Sequence, residues 1–234
     1  MKRLFAILSL SLMFAASLNA ATPNHQLWEA LLQKHVNYQA GTVNYKGFKA
    51  DKAKLEAYLT ELETHTPQSD WSRNQKLAYW INVYNAYTIK LIVDNYPLKS
   101  ITNLDKPWDK KFIKLGGTAY SLNQVENDIL RKYTSKIHFA VNCASISCPP
   151  LYHHAFTADN VNSYLNRLTR NFLTNPKRTV VSGSSVKVSK IFDWYSADFK
   201  TDGSIIPYLN KYLDPDLPAN AEVSYLDYNW NLNQ

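Results

Sequence analysis

The chain has 234 residues, with 16 Tyr, 9 Phe and 6 Trp, only 2 Cys, and a formal charge of +7. That length suits one domain with a sizeable core, and the aromatic content fits a well-packed globular chain. The positive charge is spread over Lys49, Lys52 and Lys54, Lys106, Lys110, Lys111 and Lys114, and Arg167, Arg170, Lys177 and Arg178. None of these is a dense run. This argues against nucleic-acid binding and reads as solubility, or as affinity for an anionic polymer or membrane face.

At the start of the chain, Lys2 and Arg3 precede an apolar run from Leu4 to Leu18, and small residues reach Ala20 and Ala21. This predicts a signal peptide at 1–20, cut near Ala20. The run is shorter than the roughly 20 residues that span a bilayer as a helix. No Cys follows it, so no lipid anchor is expected. The mature chain, about 214 residues with a formal charge of +5, is expected to be periplasmic or secreted, with no membrane span.

The first predicted helix runs from His25 to Val36, with Leu27, Trp28, Leu31 and Leu32 on one face. A second is expected from Phe48 to Glu63. A third, at about 74–95, is apolar on nearly every side, as in helices buried at the centre of a domain; Pro97 closes it. A short strand at Phe112–Leu115 turns at Gly116-Gly117. Ser121 and Gln124 then form a capping box that opens a helix to about Tyr133. The β-favouring run Ile137–Val141 is read as a strand, and Thr157 to Asn175 as a helix. Thr179 to Lys190 alternates about Ser182-Gly183-Ser184, as a hairpin does. Two short helices, Phe192–Phe199 and Ile205–Tyr212, lead to a last strand at Val223–Tyr228. With no repeat and no linker, the expectation is one α+β domain over 21–234, a mostly antiparallel small sheet packed on several helices.

Both cysteines, Cys143 and Cys148, lie in the segment Ile137–Pro150 (IHFAVNCASISCPP), beside His138 and Ser145. An exported chain with an even cysteine count favours a disulfide, and this spacing lets the two α-carbons approach within about 6 Å. The alternatives are a nucleophilic Cys143, or metal binding by both cysteines and a histidine. Metal binding is one ligand short of a closed zinc site. In Tyr79–Ala86 (YWINVYNA), Asn82 and Asn85 share one helical face with their amides in need of partners. They either tie the helix to a loop backbone or serve the site. No serine triad, phosphate loop, dinucleotide fingerprint or zinc-protease motif is present, so no cofactor is expected.

The stretch Tyr79–Ala86 is followed by Pro97–Ile101, Ser121–Glu126, Ile129–Arg131, Ile137–Ala140, Cys143, Ser147–Pro149, Phe192–Tyr195 and Leu226–Asn233. In this order the motifs closely resemble the family called domain of unknown function 547, from about Asn74 onward. The resemblance implies no assigned activity. A remote likeness to papain-like or transglutaminase-like thiol hydrolases accompanies it. Two positions depart from the family pattern: Asn127 stands where Glu126 is usually followed by His, and Asn229 where Asp is usual. If that histidine is the family's general base, this member lacks it.

Two functions follow. In the first, the protein is a thiol hydrolase or acyl/amide transferase of the cell envelope, with Cys143 as nucleophile, His138 as base and Glu126 as a further catalytic group. Asn82, Tyr84, Asn85, Arg131 and Ser145 are then candidates for binding or orientation. In the second, it is a non-catalytic envelope binding module stapled by Cys143–Cys148. The partner in either case is an unidentified envelope protein, peptide or polymer. If 138–143 were one extended strand, His138 and Cys143 would sit roughly 16 Å apart, so direct pairing requires the chain to double back. His153 and His154 are alternative bases. Arg131 is read as a structural salt bridge, or as holding a carboxylate, of a substrate or of Glu126, by a bidentate bond.

Overall fold

Residues 21–234 are described in a computed structural model; the expected signal peptide at 1–20 lies outside the described residues. Helix α1 (Gln26–His35) leads through the short pair β1 (Val36–Asn37) and β2 (Thr42–Val43) into α2 (Tyr45–Ala50) and α3 (Lys52–Thr64). The single helix expected at 48–63 is thus two, broken at Asp51. The reason is local: the Asp51 carboxylate is drawn to Lys34 at 2.6 Å, His35 at 2.8 Å and Lys54 at 3.3 Å. These contacts fasten α1 to the α2–α3 junction.

Helix α4 (Arg73–Asp94) is the central element. Its 22 residues make a rod about 33 Å long. Ser72 and Gln75 close a capping box at its start, with Gln75 N–H donating to Ser72 Oγ at 3.2 Å and Ser72 N–H to Gln75 Oε1 at 2.6 Å. Every side chain from Leu77 to Ile89 is buried, as the all-round apolar pattern predicts. Trp28 of α1 stacks on Tyr58 of α3 at 5.4 Å.

Strands β3 (Ile113–Leu115) and β4 (Thr118–Tyr120) form the expected hairpin about Gly116-Gly117, both at positive φ. The capping box of Ser121 and Gln124 is made. The helix it opens, however, is a π-helical turn at Gln124–Ile129 that tightens to a 3-10 turn at Leu130–Lys132. The strand expected at 137–141 is not formed. Ser135–Phe139 is a 3-10 helix capped by Thr134, and a loop follows. Among the described residues no strand pairs with it; Asn85 takes up Ala140 O and Asn142 N instead.

Helix α5 (Val161–Leu173) starts four residues later than expected, because Thr157 and Asn160 bond each other's backbone and hold a turn there. Strands β5 (Thr179–Ser182) and β6 (Ser185–Val188) pair antiparallel. After α6 (Ile191–Trp194) and α7 (Ile206–Leu209), β7 (Glu222–Tyr225) adds parallel to β6. The result is one α+β domain with small, mainly antiparallel sheets around a helical core. No helix among the described residues is long and apolar enough to cross a membrane.

Candidate functional site

The loop that carries both cysteines is built on buried amides. Asn85 Nδ2 donates to Ala140 O at 3.0 Å, and Asn142 N–H donates to Asn85 Oδ1 at 2.9 Å. One side chain of the central helix thereby grips the backbone just before Cys143. Asn142 continues the pattern: its Oδ1 accepts Ala144 N–H at 3.0 Å and its Nδ2 donates to Pro149 O at 2.7 Å. Ala144 sits at φ +63°, a left-handed conformation that costs a non-glycine residue about 1–2 kcal/mol. The C-terminal strip 229–233 fixes the other side: Ile146 N–H donates to Asn231 O at 2.9 Å and Asn233 N–H to Ala144 O at 3.2 Å. The turn held in this way points the Cys143 side chain into a cavity of about 320 Å³.

Cys143 and Cys148 are both free, so the disulfide expected at this pair is not formed. The Cys148 sulfur instead accepts the Cys143 N–H at 2.9 Å and stays against the loop backbone, 3.8 Å from Val141 O. Around Cys143 Sγ stand the Tyr228 hydroxyl at 3.3 Å and the Ser145 hydroxyl at 3.4 Å, and Ser145 donates to Tyr228 at 3.1 Å. The hydrogen bond with Cys148 lowers the Cys143 pKa to about 7 against the opposing effect of burial, with Ser145 and Tyr228 adding to the shift. Burial and the neighbouring Cys143 push Cys148 well up. Burial, then the two sulfurs, also raise Tyr228, so its phenol remains a proton donor.

Across the same cavity lie Glu126 and His138. His138 Nε2 is 2.7 Å from Asp198 Oδ2, and Nδ1 faces Glu126 Oε1 at 3.7 Å. Asp198 is clamped by Arg131, whose Nε and Nη2 donate at 2.6 and 2.7 Å. Burial would raise the Asp198 pKa, but Arg131 and His138 outweigh it and hold the carboxyl below its ordinary value. The His138 ring packs on Tyr195 at 4.1 Å. Burial, then the Glu126 charge and a hydrogen bond to it, raise the Tyr195 phenol.

Cys143, His138, Glu126 and Tyr84 therefore line one cavity, although no hydrogen bond joins His138 to Cys143. Ser145 touches the sulfur, and Arg131 stands behind the wall on Asp198. Asn82 lies elsewhere: it pairs with Phe156 through both its amide groups, at 2.7 and 3.1 Å, and ties α4 to a loop. His154 pairs with Glu29 at 2.6 Å and His153 packs on Tyr38 and Tyr152, so neither lines the cavity. Asn127, where the resembled family usually has His, does line it and accepts from Arg131 at 2.9 Å. Asp198, Tyr195 and Tyr228 escape sequence reasoning as site residues. The last two fall in quoted family motifs, but nothing in their spacing marks a role, and Asp198 falls outside the motifs altogether. Among the described residues no group of three or more His, Cys, Asp or Glu could hold a metal ion.

The profile of the family described as "Protein of unknown function, DUF547" matches residues 68–173, from just before α4 to the end of α5. No curated protein and no solved structure matches the chain.

Proposed function

This chain is a DUF547-family protein over residues 68–173, and we propose that it is a thiol-dependent acyl-transfer enzyme, a hydrolase or acyl/amide transferase, with Cys143 as the nucleophile. The observation that carries the reading is the shared cavity: a half-buried thiol, hydrogen-bonded by two hydroxyls, opens onto the space that holds a carboxylate-braced histidine. A thiol with a pKa of about 7 is substantially ionised near neutrality, so attack does not wait for a base in direct contact.

The thiolate sulfur adds to an acyl carbonyl, and the tetrahedral oxyanion takes a hydrogen bond from the Tyr228 hydroxyl. When the carbon–nitrogen or carbon–oxygen bond breaks, the leaving group takes a proton from His138. Asp198 holds the ring through Nε2, and Nδ1 is the nitrogen turned towards the cavity wall at Glu126. Water or an amine then attacks the thioester, losing its proton to His138 and releasing the acyl group. The export pattern at residues 2–21 supports action in the cell envelope. One observation favours a binding module instead: both His138 nitrogens face carboxylates and neither faces the sulfur.

The test is stoichiometric modification by iodoacetamide across pH 5–10, with p-nitrophenyl acetate as acyl donor and intact-mass readout. The expected result is one fast thiol titrating near pH 7, and a single acetyl adduct that is lost in Cys143→Ser. Thiols that react only after unfolding, or an adduct that persists in Cys143→Ser, would sink the proposal.

A further inference from the structure

The Cys143 cavity has a chemical bias of its own. Its wall carries six aromatic rings, Tyr84, Trp108, Trp194, Tyr195, Tyr228 and Trp230. Both of its formally charged residues, Asp109 and Glu126, are acids, and in a chain of formal charge +7 no Lys or Arg lines it. Arg131, which reaches the lining residue Asn127, is bound to Asp198 and lies over the Tyr195 ring at 5.3 Å, so its charge is already neutralised. Arg178 stands outside the lining, behind the Cys148 carbonyl at 3.3 Å.

The indoles are gathered, not scattered. Trp194 stacks on Trp230 at 5.7 Å and 24°, Trp108 meets Trp230 edge-on at 5.5 Å, and Tyr228 lies 4.5 Å from Trp230. Trp194 nevertheless leaves 47% of its surface in water, a large apolar face for a chain that buries most of its aromatics. Aromatic faces attract cations, and more strongly when water is excluded.

Deeper in, Glu126 is only 7% exposed. The Tyr195 hydroxyl and His138 Nδ1 lie beside it, the latter at 3.7 Å. A carboxylate has about four lone-pair sites, so this one retains acceptor capacity towards the cavity. Aromatic faces and carboxylates on the wall, with a partly ionised thiol at one end, all favour positive charge and oppose an anion.

We infer that the Cys143 cavity selects a substrate bearing a primary alkylammonium group of the lysine side-chain type, its stem lying along the indole cluster and its ammonium directed to the wall carboxylates. The inference deepens the acyl-transfer reading and rests on it for the bound molecule's being a substrate. It assigns the ammonium to the acyl donor or, once a wall carboxylate has taken one of its protons, makes the free amine the nucleophile that resolves the thioester.

Methanethiosulfonates of three charges read the bias directly. The Cys143 thiolate attacks the sulfenyl sulfur, a mixed disulfide forms, and methanesulfinate leaves. Rates for the 2-aminoethyl, methyl and 2-sulfonatoethyl reagents are each divided by the rate with 2-mercaptoethanol. The expected order is cationic, neutral, anionic, with a cationic-to-anionic preference of about tenfold or more at low salt, shrinking as salt is added. Asp109→Asn should reduce that preference about threefold. A preference no greater than that of the free thiol, or one reversed in favour of the sulfonate, overturns the inference.

Hexylamine, hexanol and hexanoate, titrated against indole fluorescence in wild type and Cys143→Ser, separate the two readings. Selective hexylamine binding with an unreactive Cys143 keeps the cation site and removes the nucleophile. Equal binding of hexylamine and hexanol, or no binding of any probe, removes the cation site and leaves the nucleophile to its own test.

Discussion

Replacing Asn85 by Ala removes the grip of the central helix on the backbone before Cys143. Asn85, Ala140 and Asn142 are exposed by only 3%, 2% and 2%, so no water replaces the lost amide. Ala140 O and Asn142 N–H lose partners at 3.0 and 2.9 Å. An orphaned buried group costs about 1–3 kcal/mol, so with two of them Asn85→Ala should lose about 2–6 kcal/mol. Urea unfolding followed by far-UV circular dichroism should show this as a lower midpoint with an unchanged slope. Asn82→Ala is the matched control. It also severs two amide bonds, but to Phe156. Both variants should destabilise comparably, while only Asn85→Ala moves the pH midpoint of Cys143 alkylation upward, because only it frees the loop that holds Cys143 against Cys148. A loss below about 1 kcal/mol for Asn85→Ala, or an equal alkylation shift in Asn82→Ala, would refute the reasoning.

Gly47→Ala ought to help a helix by about 1 kcal/mol, yet here a Cβ would fall 2.4 Å from Nδ1 of buried His35, whose ring is held by Asp51 at 2.8 Å. Thermal unfolding should show a net loss of about 1–3 kcal/mol; a neutral or stabilised variant contradicts the clash. Burial brings the His25 pKa down to about 4 from an ordinary 6.5. The unfolded chain therefore takes the proton first, and stability should fall as pH drops from 6.5 towards 4. His25→Gln should flatten that window in denaturant titrations, and equal slopes in both proteins would count against it. Asp198 is held below its ordinary value, so its contribution is present above the unfolded carboxyl pKa of about 4 and is lost as pH falls through the lower folded value. Asp198→Asn should remove that acid-side loss and slow thioester turnover while leaving Cys143 alkylation unchanged. Slowed alkylation would show that Asp198 acts on the thiol itself.

The sequence made the helical frame legible where local signals agree with packing. The all-round apolar run of α4 and the hairpin glycines at 116 and 117 are both seen in the fold. The misread segment is the informative one. Ile137–Val141 has strand-forming residues, but tertiary context overrides propensity: an amide three turns along a distant helix intercepts the backbone groups that a ladder would need. The site was half visible. Cys143, His138 and Glu126 are close in sequence and share the cavity. Tyr228 reaches the sulfur from 85 residues away and Asp198 reaches His138 from 60, separations at which residue spacing carries no signal.

The strip at 229–233 has a consequence for the order in which the molecule assembles. Helices α1 to α4 can dock on one another using contacts among residues 26–94. The thiol turn, by contrast, is sutured by Asn229, Asn231 and Asn233, and Asn233 also accepts the Tyr45 hydroxyl across 188 positions at 2.7 Å. Contacts of that span form slowly, because a long loop must close before they repay its entropy. The helical frame is therefore expected to form before the cavity when the chain folds. A refolding chain whose residues 229–233 have not yet docked is expected to carry the helical scaffold with an unformed thiol turn, so rapid Cys143 alkylation should appear only after that strip has seated.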